Sequence, residues 1–173
     1  MKVKSILLLA LIAILCSGMM CECDDEPSEP TLPPETTTGE NTFGCLVNGK
    51  VWRNGGVGFP NYSLAINEMS EVSLGIVAIR DNKKTQERFK IYFWETDIQN
   101  GVFSLDTNKV YIKYLLRNND DIESIEYKKN IGYIEITRFD LINGIVSGRF
   151  EAILYSDSCD SIEVTQGRFD LKK

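Results

Sequence analysis

The stretch Phe89-Lys90-Ile91-Tyr92-Phe93-Trp94 alternates. Phe89, Ile91 and Phe93 fall on one side of an extended chain, and Lys90, Tyr92 and Trp94 on the other. Successive side chains of a β-strand point to opposite faces, so a period of two with one apolar side marks a half-buried strand. The same period recurs on both sides of it. Upstream it runs through Tyr62-Leu64-Ile66 and Val72-Leu74-Ile76-Ala78; downstream through Val110-Ile112-Tyr114-Leu116, Ile134-Ile136 and Val146-Gly148-Phe150-Ala152-Leu154. A last run from Ile162 to Leu171 closes the chain.

Turn residues separate these runs: Asn48-Gly49, Asn54-Gly55-Gly56, Asp81-Asn82, Asn100-Gly101 and Asn143-Gly144. Each supplies backbone freedom or a local side-chain hydrogen bond where a strand must end. Short strands at this spacing, with no helical period, predict an all-β domain over residues 42–173. The expected architecture is an antiparallel two-layer β-sandwich. A small lipocalin-like β-barrel is the alternative, because closure leaves no mark on periodicity.

Before residue 42 the chain is of another kind. Lys2 and Lys4 precede eleven residues, Ser5 to Leu15, that are apolar after the serine. Such a run reads as a signal peptide over residues 1–20 and is short of the ~20 apolar residues a membrane span needs. CSGMMCECDDEPSEP (16–30) follows, as in a bacterial lipoprotein precursor, where the signal is cut before a cysteine that is then acylated. Of Cys16, Cys21 and Cys23, Cys21 fits best: it follows Ser17-Gly18 and stands before the acidic run, although Met20 is larger than the residue usual there. Ordinary secretion is the alternative. Residues 21–41 hold seven acids, no Lys or Arg, and four of the five prolines. They predict an extended, mobile tether. The expected partner is thus the membrane, through an N-terminal lipid anchor. The expected location is the outer membrane; the acidic run resembles an export signal for surface lipoproteins, which implies exposure at the cell surface, and a solvated spacer in the periplasm is the alternative.

The formal charge is −6, but from Asn41 onward 18 acids face 17 bases. No basic stripe is visible along the chain, which argues against a nucleic-acid partner. There is no histidine. That removes Ser-His-Asp and Cys-His catalysis and the commonest metal ligand. No catalytic residue, metal site or cofactor is expected, and the chain reads as a non-enzyme.

FGCLVNGKVW (43–52) is the densest stretch. Asn48-Gly49 predicts a type I′ hairpin turn. In an oxidising compartment Cys45 and Cys159, the two cysteines of the domain, predict a disulfide, with two buried thiols as the alternative. Trp52 is read as core or as a ligand-stacking residue. Tyr92 and Trp94, opposite the apolar side of their strand, are candidates for stacking on sugar rings; the alternative is a strand covered on both faces. NNDDIESIE (118–126) and SDSCDS (156–161) lack the spacing of a calcium loop and read as solvated turns. TQGRFD (165–170) predicts a kink or bulge at Gly167, with Arg168 and Asp170 on one side as a surface ion pair.

TLPPETTTGENTFGCLVNGKVW (31–52), GYIEITRFD (132–140), VSGRFEAIL (146–154) and TQGRFD together resemble a family of uncharacterised Bacteroidetes lipoproteins. The resemblance implies a membrane lipoprotein with a domain of unknown function, and it carries over no catalytic residue. The expected role is a binding or interaction module of the cell envelope with a protein or glycan partner. The alternatives are a surface glycan-binding accessory protein and, behind it, a carboxylate-based hydrolase.

Overall fold

The computed structural model describes residues 31–56, 63–82, 84–105, 109–118, 124–158 and 160–173. The strands are β1 (Thr42–Val47), β2 (Lys50–Arg53), β3 (Gly55–Gly56), β4 (Leu64–Met69), β5 (Ser73–Asp81), β6 (Thr85–Trp94), β7 (Gly101–Ser104), β8 (Val110–Asn118), β9 (Ser124–Asp140), β10 (Ile145–Ser156) and β11 (Ser161–Lys172). The all-β expectation holds, and every pairing is antiparallel except that of the two-residue β3 with β5.

All eleven strands belong to one sheet. Its path runs β2-β1-β11-β10-β9-β8-β6-β5-β3, with β4 on β5 and β7 on β9. Its two ends, β2 and β3, are separated in sequence by Asn54 alone. The sheet therefore curls until its ends meet, and the two layers are opposite walls of one barrel-like sheet. Phe43 and Trp52 of one wall meet Phe89 of the other, at ring separations of 5.8 and 4.8 Å.

The inward side chains are those of the apolar period: Ile91, Ile112, Ile134, Phe150 and their strand neighbours are buried together. At the last strand the period changes. Ile162 and Val164 point inward at even positions, Phe169 and Leu171 at odd ones. A bulge reconciles them: β11 carries an extra residue around Gln166, which sits at φ 51°. One added residue flips the following side chains to the other face. The bulge expected at Gly167 is present, but the neighbouring Gln166 takes the left-handed backbone.

Gly167 has a different task. β10 and β11 pair two copies of Gly-Arg-Phe head to tail: Gly148 opposite Phe169, Arg149 opposite Arg168, Phe150 opposite Gly167. Each phenylalanine ring lies over the glycine across from it. A Cβ on Gly167 would come within 2.6 Å of Phe150, and one on Gly148 within 2.6 Å of Phe169.

Two expectations are corrected. The Asn48-Gly49 turn forms as predicted, at φ 48° and 76°, but Cys45 is a free, buried thiol and not half of a bridge. It sits on β1 level with the bulge near Gln166. Cys159 lies outside the described residues.

The second correction concerns the tether. Cys21 and residues 22–30 lie outside the described residues, but residues 31–41 are fastened to the outer face and form a strap. Asp170 holds it. The surface ion pair expected of Arg168 and Asp170 is thereby corrected: this carboxylate is buried and accepts instead from Thr36 Oγ1 (2.7 Å), Thr38 N (3.1 Å), Gly39 N (2.8 Å), Glu40 N (3.1 Å) and Ser147 Oγ (2.6 Å), while Arg168 donates to Pro33 O. Arg53, Arg138 and Arg168 donate to the strap carbonyls of Thr31, Thr37 and Pro33. A low-apolar, acidic segment is ordered here because its backbone N–H groups find a buried acceptor, which composition does not reveal.

Burial works against ionisation of Asp170, but the hydrogen bonds from Ser147, Thr36, Glu40 and Gly39 outweigh it and hold its pKa below the usual carboxylate value. A depressed folded-state pKa contributes stability above the unfolded pKa and loses it as pH falls through the folded value. Strap release is therefore expected only below about pH 4. Asp170→Asn should release it at neutral pH and cost about 1.5–3 kcal/mol, the range for hydrogen bonds to a charged group. Limited proteolysis within residues 31–41 reads both; a variant as protected as the parent at pH 7 would contradict the assignment.

Candidate functional site

Three places in the fold carry polar or aromatic chemistry. The first is interior. Glu87 on β6 faces inward and is buried; Trp52 Nε1 donates to it at 2.8 Å, and Arg80, directly opposite on β5, grips both oxygens at 2.7 and 2.6 Å. Tyr114 on β8 donates its hydroxyl to the same carboxylate. The Arg80 guanidinium also lies 5.4 Å from the Trp52 ring centroid. Cys45 is beside this group, and burial pushes its thiol well above the ordinary range, with Glu87 adding to the effect and Arg80 opposing it. Burial and then the bond to Glu87 raise Tyr114 as well. A carboxylate committed to three donor side chains has no lone pair left for a substrate, and a thiol held protonated is no nucleophile. The cluster is a polar clamp between the walls where β2 and β3 close the sheet. Trp52, a ligand-stacking candidate in the sequence, is fully buried here. That reading is corrected: its indole is a core ring with one internal acceptor.

The second place lies under the strap. Glu35, Thr36, Thr137, Arg149 and Arg168 line a shallow pocket of about 260 Å³. Arg149 and Arg168 stand directly opposite each other, an arrangement that repels. Both are already engaged: Arg149 bonds Glu135 at 2.8 Å with Glu35 at 3.8 Å, and Arg168 donates to the carbonyls of Gln166 at 3.2 Å and Pro33 at 3.3 Å. These groups hold the strap down.

The third place is the outer face of β6 and β8. Trp94 is 52% exposed. Tyr92 is two residues away on the same outward side, roughly 7 Å along the strand. Tyr111 is directly opposite Tyr92, with ring centroids 5.2 Å apart. Gly75 on β5 lets Tyr92 lie along the sheet: a Cβ there would meet the Tyr92 ring at 3.3 Å. Lys113 Nζ stands 5.3 Å from the Tyr111 ring centroid. Burial against these neighbours raises the Tyr111 pKa, so the phenol is neutral and a hydrogen-bond donor at neutral pH.

Two of the three aromatic candidates in the sequence, Tyr92 and Trp94, are thus brought into one surface row, and Tyr111 joins them. Sequence reading placed Tyr111 on an outward side but had no means of seeing it beside Tyr92, because β6 pairs with β8 and bypasses β7. Among the described residues no group of three or more His, Cys, Asp or Glu side chains is placed to hold a metal ion. In comparisons with known proteins, no family model, curated protein or solved structure matches the chain.

Proposed function

We propose that this chain is a lipid-anchored protein of the bacterial cell envelope whose β-domain binds carbohydrate on the outer face of β6 and β8, without chemistry of its own. The observation that carries this reading is the exposed Trp94 in line with the Tyr92–Tyr111 pair. A single exposed apolar side chain is ordinary on a protein surface, but three aromatic rings gathered on one outer sheet face form a contiguous patch of the kind that marks a binding site. A flat aromatic row on a rigid sheet offers stacking faces at little conformational expense. The signal-like residues 1–20, the acylation candidate Cys21 and the resemblance to Bacteroidetes lipoproteins support the envelope part of the reading.

A second reading, docking of a protein partner, has its own observation. Ile131 and Ile153 are cross-strand neighbours on β9 and β10 and are 64% and 41% exposed. The test separates the two. The full chain is titrated with a panel of soluble polysaccharides by affinity electrophoresis and calorimetry, beside Trp94→Ala. Loss of one stacked aromatic costs about 1–3 kcal/mol, so binding in the variant is expected to fall by about 5- to 150-fold. Retardation by no polysaccharide, or equal retardation of both proteins, would remove the carbohydrate reading.

A further inference from the structure

The aromatic row does not stand alone. The outward positions of β6 read Gln86, Arg88, Lys90, Tyr92, Trp94; those of β8 and the residue before it read Lys109, Tyr111, Lys113, Leu115, Arg117. Five of these ten are cations and none is an acid. The chain as a whole is acidic and its domain nearly neutral, so this concentration is a property of the fold and not of composition. It corrects the expectation that no basic stripe exists. Four of the cations occur two residues apart on β6 and four apart on β8, and only the β6–β8 pairing brings the two sets together.

The register sharpens the point. Lys90 and Lys113 are directly opposite each other. Like charges in that position repel. Lys113 finds partial relief at Glu126 on β9, 3.7 Å away, while Lys90 makes no hydrogen bond or ion pair among the described residues. Among the described residues Arg88, next along β6, buries its Nε without an acceptor and donates from Nη2 to Gln86 Oε1 at 3.3 Å. Lys109, beside Trp94, donates to the Glu95 carbonyl at 3.5 Å. Flanking acids exist at Asp81 on β5, which faces Gln86 at the far end of the row, and at Glu68 on β4, which the register places across Gly75 from Tyr92, level with the aromatic end and not with Lys90.

From Arg88 to Trp94 the strip runs roughly 20 Å along β6, longer than one sugar ring. A ligand that satisfies it has to be extended, offer ring faces at the Trp94–Tyr92–Tyr111 end, and carry negative charge at the Lys90–Lys113 end. We infer that the natural ligand is an acidic polysaccharide, a glycan chain bearing carboxylate groups such as a polyuronate. This rests on the carbohydrate reading above and narrows it. The rings stack on the sugar faces. The lysine pair and Arg88 take the carboxylates, and a carboxylate between Lys90 and Lys113 replaces their mutual repulsion by two attractions.

The test uses one polymer in two charge states. The full chain is titrated with polygalacturonate and with its fully methyl-esterified form, which keeps the sugar rings and removes the charge. Binding to polygalacturonate is expected to be at least tenfold tighter and to weaken with salt. Replacing both Lys90 and Lys113 by Gln should abolish the preference and leave Trp94-dependent binding to the ester in place; the comparison of the two polymers on the parent protein stands even if that variant folds poorly. Equal binding of both forms, lost in Trp94→Ala, would overturn this inference and keep the carbohydrate reading. Binding of neither form nor of any other polysaccharide would remove both. Tighter binding of a single-stranded oligothymidylate than of polygalacturonate would reassign the strip to nucleic acid.

Discussion

Replacing Glu87 by alanine is expected to lower the stability of the domain by roughly 3–5 kcal/mol, the range for removing one partner of a buried ion pair. The change strands three donors at once. Trp52 Nε1 and the Tyr114 hydroxyl lose their acceptor inside the barrel, and Arg80 keeps its charge against the Trp52 ring. The Arg80 side chain is 34% exposed, so water screens part of its loss and places the expectation near the lower end of the range. A domain of this kind has only about 5–15 kcal/mol in total. Urea denaturation measures the shift, and Glu87→Gln, which keeps the shape and some of the hydrogen bonds, should recover part of it. An alanine variant within 1 kcal/mol of the parent would mean that the clamp contributes nothing to holding the walls together.

Gly148→Ala should be nearly as damaging, at about 3 kcal/mol, the upper end for overpacking a filled core. The added Cβ would fall 2.3 Å from the carbonyl oxygen of Glu135 and 2.6 Å from the Phe169 ring. Backbone on the neighbouring strand cannot yield as a flexible side chain does. Gly49→Ala is the comparison. Gly49 takes φ 76° in the hairpin turn but has open space where its Cβ would go, so that change costs conformational strain of about 1 kcal/mol. Thermal unfolding of the two variants should rank them in that order; the reverse order would show that close ring-over-glycine contact does not limit this pair of strands.

Much of the fold was legible in residue types alone. The period of two in FKIYFW and its counterparts assigns inward and outward sides correctly along β5, β6, β8 and β10, because burial on one face of a pleated strand selects for it directly. Asn48-Gly49 forms its turn because few other residue pairs tolerate positive φ twice in succession. Even the interior clamp had a signal that went unread: Glu87 shares parity with Phe89, Ile91 and Phe93, and Arg80 with Leu74, Ile76 and Ala78. Two opposite charges on inward positions of adjacent strands mark a buried pair. The change of parity between Val164 and Phe169 was likewise the sequence mark of the bulge.

What residue types alone do not carry is contact across distance along the chain. Asp170 orders the strap from more than a hundred residues away, so neither the acidity of residues 31–41 nor the motif around Asp170 announces the contact. Composition pairs Cys45 with Cys159 as the two cysteines of the domain, whereas in the fold Cys45 is a free, buried thiol beside Glu87 and Arg80.

By itself, then, the amino-acid order determined which residues extend, where they turn, and which side of each strand seeks the core. Those are local consequences of alternating hydrophobicity and of backbone preferences at Asn and Gly. Only the tertiary structure decided that β6 lies beside β8, that Lys90 faces Lys113 and Tyr92 faces Tyr111, and that Asp170 ties down the strap. Cross-strand neighbours are chosen by the closure of the whole sheet around one core, and no short window of sequence contains that choice.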